Sequence, residues 1–181
     1  DLIEEIARLD GYDNIPSLAP QATLAMLPQT EETRPLRRVR QILADRGFQE
    51  VINYAFIDEA WEADFAANLV PIRLANPIAS QMSVMRSTLI GGLVANVLTN
   101  LKRKQNRVRI FETGRCFFRD HGKQPVAGFY QPWKLAGLAY GTALPEQWGN
   151  TARNVDFYDT KGEIELLLEP KTIKIEKTTH P

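Results

Sequence analysis

Apolar positions along the chain follow two periods, and the switches between them outline the elements. Leu2, Ile6 and Leu9, spaced by four and three, predict a helix over residues 1–9, which Gly11 and Tyr12-Asp13-Asn14-Ile15-Pro16 bring to a stop. Residues 17–33 hold Pro20 and Pro28 among scattered apolar positions with no sustained period, the pattern of an extended linker. The helical period returns with Leu36, Val39, Ile42 and Leu43, which predict a helix from Thr33, a candidate N-cap, to Gly47. Pro35 suits its first turn, and Arg34, Arg37, Arg38, Arg40 and Arg46 occupy much of the remaining surface. Leu89, Leu93, Val97 and Leu101 lay out another helix to about residue 104, weakened near its start by Gly91 and Gly92 at roughly 1 kcal/mol each relative to alanine. Asp58 can cap a short helix carrying Trp61 and Phe65, and Asp159 or Thr160 with Glu163 forms a possible capping box for a helix through Glu169.

The period of two predicts strands at 50–56, 133–140 and 172–176, and an edge strand at 70–74 because Pro71 cannot donate to a ladder. Residues 82–86 form a short apolar segment. Two further strands, 107–112 and 115–118, are separated by Thr113-Gly114, a link too short for a parallel crossover. The fold class these elements imply is α+β, with a mainly antiparallel sheet flanked by helices.

Charge and composition narrow the function classes. The 181 residues carry 22 basic and 22 acidic side chains, so no global field draws the chain to nucleic acid or an anionic membrane, and an RNA contact needs a local patch. Cys116 has no internal disulfide partner, and His121 and His180 do not make a zinc cluster with Cys/His spacing. No apolar run approaches the ~20 residues of a membrane span, which makes the cytoplasm the expected location, and a start at Asp1 inside a helix suggests a piece of a longer protein. Phosphate loops, HExxH and GxSxG are absent.

Three groups of residues carry candidate chemistry. Asp1, Glu4 and Glu5 stand at i, i+3 and i+4 and could offer oxygen ligands to Mg²⁺, although acidic residues also favour a first helical turn through the dipole alone. Lys102, Arg103, Lys104, Arg107 and Arg109 could touch phosphates; against this, cations complement a helix C-terminus, and the run has no interleaved aromatics to stack bases. Arg115 and Arg119, within the charged stretch 109–120, could bind an anion or simply face water from a strand's end.

The strings Asp1-Leu-Ile-Glu-Glu-Ile-Ala-Arg-Leu-Asp-Gly-Tyr-Asp-Asn-Ile-Pro16, Asn76-Pro-Ile-Ala-Ser80, Met85-Arg-Ser-Thr-Leu89, Phe111-Glu-Thr-Gly-Arg115 and Val155-Asp-Phe-Tyr-Asp-Thr-Lys-Gly162 run in order along nearly the whole chain and closely resemble the beta subunits of bacterial phenylalanyl-tRNA synthetases. The resemblance implies that residues 1–16 close a winged-helix-like B5 domain, 17–33 link, and 34–181 form a class II synthetase-like core cut before motif 3. It implies an α2β2 enzyme whose alpha subunit joins phenylalanine to tRNA(Phe) using ATP, while this core is non-catalytic and the chain alone is inactive. Catalytic class II subunits end motif 2 in a stretch like Gly-Arg-Val-Tyr-Arg, whose last arginine contacts ATP. Here Gly114-Arg115-Cys116-Phe117-Phe118 puts a phenyl ring, which cannot hydrogen-bond phosphate, in that place, and Arg119 falls on the opposite strand face. The resemblance further makes Asp1, Glu4 and Glu5 three of four Mg²⁺ ligands, and the 33–47 helix a motif 1 helix whose arginine face meets the alpha subunit. The competing readings are a ligase domain active by itself and an RNA-binding or protein-interaction module without a ligase partner.

Overall fold

The computed structural model describes residues 2–21, 34–66, 70–120 and 128–176. The chain divides into two units, residues 1–33 and 34–181. In the first, helix α1 (Leu2–Asp10) ends where the Gly11 N–H donates to Ala7 O, and a 3-10 turn over Tyr12–Asn14 follows, started by Gly11 at φ 94°. No residue of α1 is buried, so its apolar stripe of Leu2, Ile6 and Leu9 faces outward in this unit. Residues 22–33, including the expected cap Thr33, lie outside the described residues.

The second unit is built around one strand. It comprises α2 (Leu36–Asp45), β1 (Gln49–Glu50), β2 (Phe56–Ile57), α3 (Glu59–Ala66), β3 (Ile72–Arg73), β4 (Val84–Met85), α4 (Ile90–Lys102), β5 (Val108–Arg115), β6 (Phe118–Arg119), β7 (Phe129–Tyr130), β8 (Trp133–Tyr140) and α5 (Phe157–Leu168). β5 is the centre of the main sheet, β1-β5-β8, parallel to β1 and antiparallel to all of β8. A second antiparallel sheet runs β2-β4-β3, and β6 pairs with β7 in a third. The α+β class and the predominance of antiparallel pairs match the expectation.

Alternation along β5 assigns each face of the main sheet a covering layer. Val108 and Ile110 pack under Leu93 and Val97 of α4, while Phe111 on the other face packs with Leu43 of α2, Phe48 and Leu167 of α5. Polar residues on the second face tie the same helices down. Arg40 meets Glu50 at 2.8 Å and donates to Thr113 Oγ1 at 2.9 Å, and Glu163 of α5 is shared between Arg46 at 2.9 Å and Arg109 at 2.8 Å. Arg34 donates to the Leu167 carbonyl at 2.5 Å and to that of Glu169.

Several boundaries differ from the sequence expectation. β5 passes through Thr113-Gly114 without a break, because β8 pairs its full length and Gly114 sits opposite Lys134. A Cβ at Gly114 would run into the Arg86 guanidinium, so this glycine admits a side chain and does not turn the chain. Strand pairing over 50–56 is confined to its ends: Asn53 N–H donates to Glu112 Oε1 at 3.2 Å, and a side-chain acceptor replaces the ladder. Side chains there still alternate, with Ile52 and Tyr54 exposed. Residues 172–176 form no strand. The cap of α2 is Pro35, in extended backbone, and that of α5 is Asp156, whose carboxylate accepts from Tyr158 N at 2.8 Å and Asp159 N at 3.1 Å. Asp159 completes that capping box from inside the helix, and Glu163 is spent on arginines. The Asp58 cap is as expected, accepting from Ala60 N at 2.8 Å.

One buried ion pair joins the two larger sheets. Arg86, just after β4, meets Glu112 of β5 at 2.6 Å, with side chains only 8% and 2% exposed, and donates to the Arg115 carbonyl at 3.1 Å. Glu112 also accepts from Asn53 Nδ2 at 2.8 Å, and Asn53 Oδ1 accepts from Asn96 of α4 at 2.7 Å. Gly92 clears the space for Asn53, whose Nδ2 would lie 3.0 Å from a Cβ there. The glycine pair that weakens α4 by propensity therefore lets it approach this network and, at Gly91, Ile57.

Two consequences are measurable by chemical denaturation. Leu43→Ala should lower stability by about 2–5 kcal/mol, whereas Leu36→Ala, at a position 39% exposed, should cost clearly less. Arg86→Ala, which leaves Glu112 buried and unpaired, should cost about 3–5 kcal/mol, and the apolar double variant Arg86→Met with Glu112→Leu should recover a large part of that loss.

Candidate functional site

The candidate residues separate into four places. Glu4 and Glu5 lie on the exposed first turns of α1, where Glu5 is paired with Arg8 at 2.5 Å; Asp1 lies outside the described residues. Among the described residues no group of three or more His, Cys, Asp or Glu side chains is placed to hold a metal ion.

The basic cluster does not form one face. Arg109 is held by Glu163 and lies 4.3 Å from the centre of the Phe48 ring. Arg107 donates to the carbonyls of Thr142 at 3.1 Å and Ala143 at 3.3 Å. Of the five, only Lys102, Arg103 and Lys104 are exposed. The arginine face of α2 divides in the same way: Arg37 and Arg38 are exposed, while Arg40 is occupied internally by Glu50 and Thr113.

The fourth place is the hairpin region where the resemblance locates a motif 2 arginine. Phe118 and Arg119 occupy alternate faces of β6, with Phe118 half-buried and Arg119 exposed. The Phe118 ring lies 6.1 Å from that of Tyr130, and the Lys134 ammonium stands 4.6 Å from its centre. Arg115 sits 5.8 Å from the Trp133 ring. These cations rest over aromatic faces, whose quadrupoles attract them, and the strand offers rings where a nucleotide-binding surface would offer guanidinium donors. Cys116 beside them is buried, and burial raises its pKa above that of an ordinary thiol, so it is no ready nucleophile.

Charged residues of the interior were not marked by periodicity. Glu62, Glu112, Glu163 and Arg86 are buried, and Glu62 accepts from Ser87 N at 2.8 Å and from its hydroxyl. The available signals were local: Glu112 and Glu163 fall on the inward phase of their elements, and Arg86 stands next to an apolar strand. Glu112 and Glu163 are met by arginines, whereas Glu62 has Ser87 on one oxygen and leaves Oε2 buried without a hydrogen-bond partner.

Comparison with known proteins bears on this arrangement. A family profile described as "Phenylalanyl tRNA synthetase beta chain CLM domain" matches residues 15–181. Over the whole chain, the sequence is 65% identical to a phenylalanine-tRNA ligase beta subunit of Dechloromonas aromatica, 61% to that of Aromatoleum aromaticum and 54% to that of Chromobacterium violaceum. The chain spans 22–23% of the length of these relatives. Among solved structures, a pyrrolysyl tRNA synthetase of Desulfitobacterium hafniense is similar over 60% of this chain and 36% of that one, at 19% identity and a TM-score of 0.41, a likeness too slight to carry the fold. With a profile match over residues 15–181 and full-length identities above half, the chain belongs to the family of phenylalanyl tRNA synthetase beta chain CLM domains.

Proposed function

We propose that the chain is the non-catalytic, class II synthetase-like core of a phenylalanine-tRNA ligase beta subunit, whose work is to support the active site of a catalytic alpha subunit in a cytoplasmic α2β2 enzyme. The observation that carries this reading is the surroundings of Phe118. At the place of the ATP-contacting arginine stands a ring packed on Tyr130 and covered by Lys134, and the nearest strand arginine, Arg115, lies over Trp133. Aromatic faces do not donate hydrogen bonds to phosphate. ATP and tRNA(Phe) then belong to the assembled enzyme, with ATP used at the alpha subunit.

What the fold supplies to an assembly is rigidity. Both faces of β5 are covered, and Glu112 and Glu163 are paired with arginines within the core, so the outer surfaces are held in fixed register for a partner. Exposed Arg37 and Arg38 on α2 are available for an acidic surface on the alpha subunit, while Arg40 is committed internally.

The Mg²⁺ site implied by the resemblance finds a poor fit in the described part of the first unit. Glu4 and Glu5 lie on a helix without buried residues, and Glu5 already has Arg8 as its counter-charge. Near-octahedral Mg²⁺ needs donors held more firmly than this, so we propose that the chain binds it weakly, with Asp1, Glu4 and Glu5 as its residues.

Amino acid-dependent ATP-pyrophosphate exchange tests the main reading. The chain alone should show none, and a full beta subunit with its alpha subunit should restore it; exchange by the chain that disappears in Arg115→Ala or Arg119→Ala would contradict the proposal. For the metal, Mg²⁺ should barely move the melting temperature, and a large saturable rise abolished by Glu5→Ala would show a stronger site.

A further inference from the structure

β8 is the outer strand of the main sheet, and the direction of its backbone groups follows from the hydrogen bonds at its two ends. Pro132 O accepts from Cys116 N–H at 3.0 Å, so even-numbered positions face β5. Gly141 O accepts from Val155 N–H and Ala143 N–H donates to Arg153 O, both at 2.9 Å, so odd-numbered positions face away from β5. Trp133, Leu135, Gly137 and Ala139 therefore turn their N–H and C=O groups to the open side. Among the described residues no strand pairs with them there, and beyond Ala139 the edge is taken by the 153–155 segment.

This edge lacks the usual protection. Sheet edges are blunted by prolines, bulges, short strands or several charges. β8 instead pairs with β5 residue for residue from Trp133 to Tyr140, without a bulge, and Lys134 is its one charged residue. Trp133 is 58% exposed and Leu135 41%. On the same face an apolar groove of about 190 Å³ runs between β8 and α5, lined by Leu135, Gly137, Ala139, Thr160, Ile164 and Leu167.

The order of large and small residues along the edge matches its own reverse. Two antiparallel copies use all four open positions only in the register centred on Ala136. That register sets Trp133 opposite the second copy's Ala139 and Leu135 opposite its Gly137, so a large side chain meets a small one at every pair. Opposite residues share a face, which brings the indole beside Ala139, at the groove of the other copy. On the reverse face Lys134 stands opposite Leu138, whereas the register centred on Lys134 would set two like charges against each other.

We propose that the open edge of β8 docks a second copy of this chain, joining two three-stranded sheets into one of order β1-β5-β8-β8-β5-β1, with Trp133 of each copy seated over the other's groove between β8 and α5. Residues 172–176, which alternate as a strand should and form none in the structure, are the competing occupant, and they would leave the chain monomeric. Self-association stands apart from the ligase reading, since it requires neither the catalytic subunit nor a substrate.

Sedimentation equilibrium of the 181-residue chain tests the proposal. A monomer-dimer equilibrium is expected. A Cβ at Gly137 meets ordinary contacts at 3.8 and 4.0 Å within the chain, so Gly137→Leu should fold, yet it fills the space opposite Leu135 and should raise the dimer Kd about tenfold or more. Adding Leu135→Gly exchanges large for small within the same pair and should bring Kd back to within about threefold of the parent. Leu135→Lys and Trp133→Ala, both at exposed positions, should weaken the dimer at least as much as Gly137→Leu. Far-UV circular dichroism of each variant should match the parent. The amides of Leu135, Gly137 and Ala139 should gain protection from hydrogen exchange as concentration rises. A chain that stays monomeric at about 100 μM, a dimer indifferent to Leu135→Lys and Trp133→Ala, or protection of those amides that does not depend on concentration would each overturn the proposal, the last in favour of residues 172–176 on the edge.

Discussion

The core is organised around a carboxylate placed inside it. Glu112 lies on the middle strand of the main sheet, 2% exposed, and a charge so far from water must be met by counter-charge and donors. Arg86 brings β4 and the second sheet to it; Asn53 brings the segment between β1 and β2; Asn96 follows through Asn53 and brings α4. Gly92 and Gly114 lack side chains where Asn53 and Arg86 must lie. Removing the charge from Glu112 would deprive Arg86 and Asn53 of their common partner, and through Asn53 would loosen the hold on α4.

That arrangement also bears on what the fold is for. Glu163 pins α5 to Arg46 and Arg109 on the other face as Glu112 pins α4 and β4. Exposed features lie at the periphery: Arg37 and Arg38 on α2, and the rings of Tyr54, Trp133 and Trp148 at the surface. This distribution suits a rigid body that offers surfaces to other molecules.

Much of the framework was readable from apolar spacing. The 133–140 strand has the expected bounds, α4 follows its four-residue spacing, and Asp58 caps α3. Three of the misreadings share a cause: each involves a residue whose role is set by a distant polar partner. Gly114 was read as a break because local chemistry cannot show that Arg86 crosses it. Residues 50–56 alternate as a strand should, yet Asn53 turns to Glu112, and Glu163 was read as part of a cap while its partners Arg46 and Arg109 lie over 50 residues away in sequence. The family strings located the chain among its relatives, although spacing alone left the acidic triplet and the basic run ambiguous.

Amide hydrogen exchange in the native state measures most directly whether the Glu112 network pins these elements together. Asn53 N–H donates to Glu112, Arg86 N–H to the Ala55 carbonyl, and Ser87 N–H to Glu62, all outside any long ladder. If the buried pair is the pin, these three amides should exchange with the same opening free energy as the central amides of β5, because they are released only when the core opens. Exchange of the three through a low-energy local opening, while β5 stays protected, would contradict that dependence.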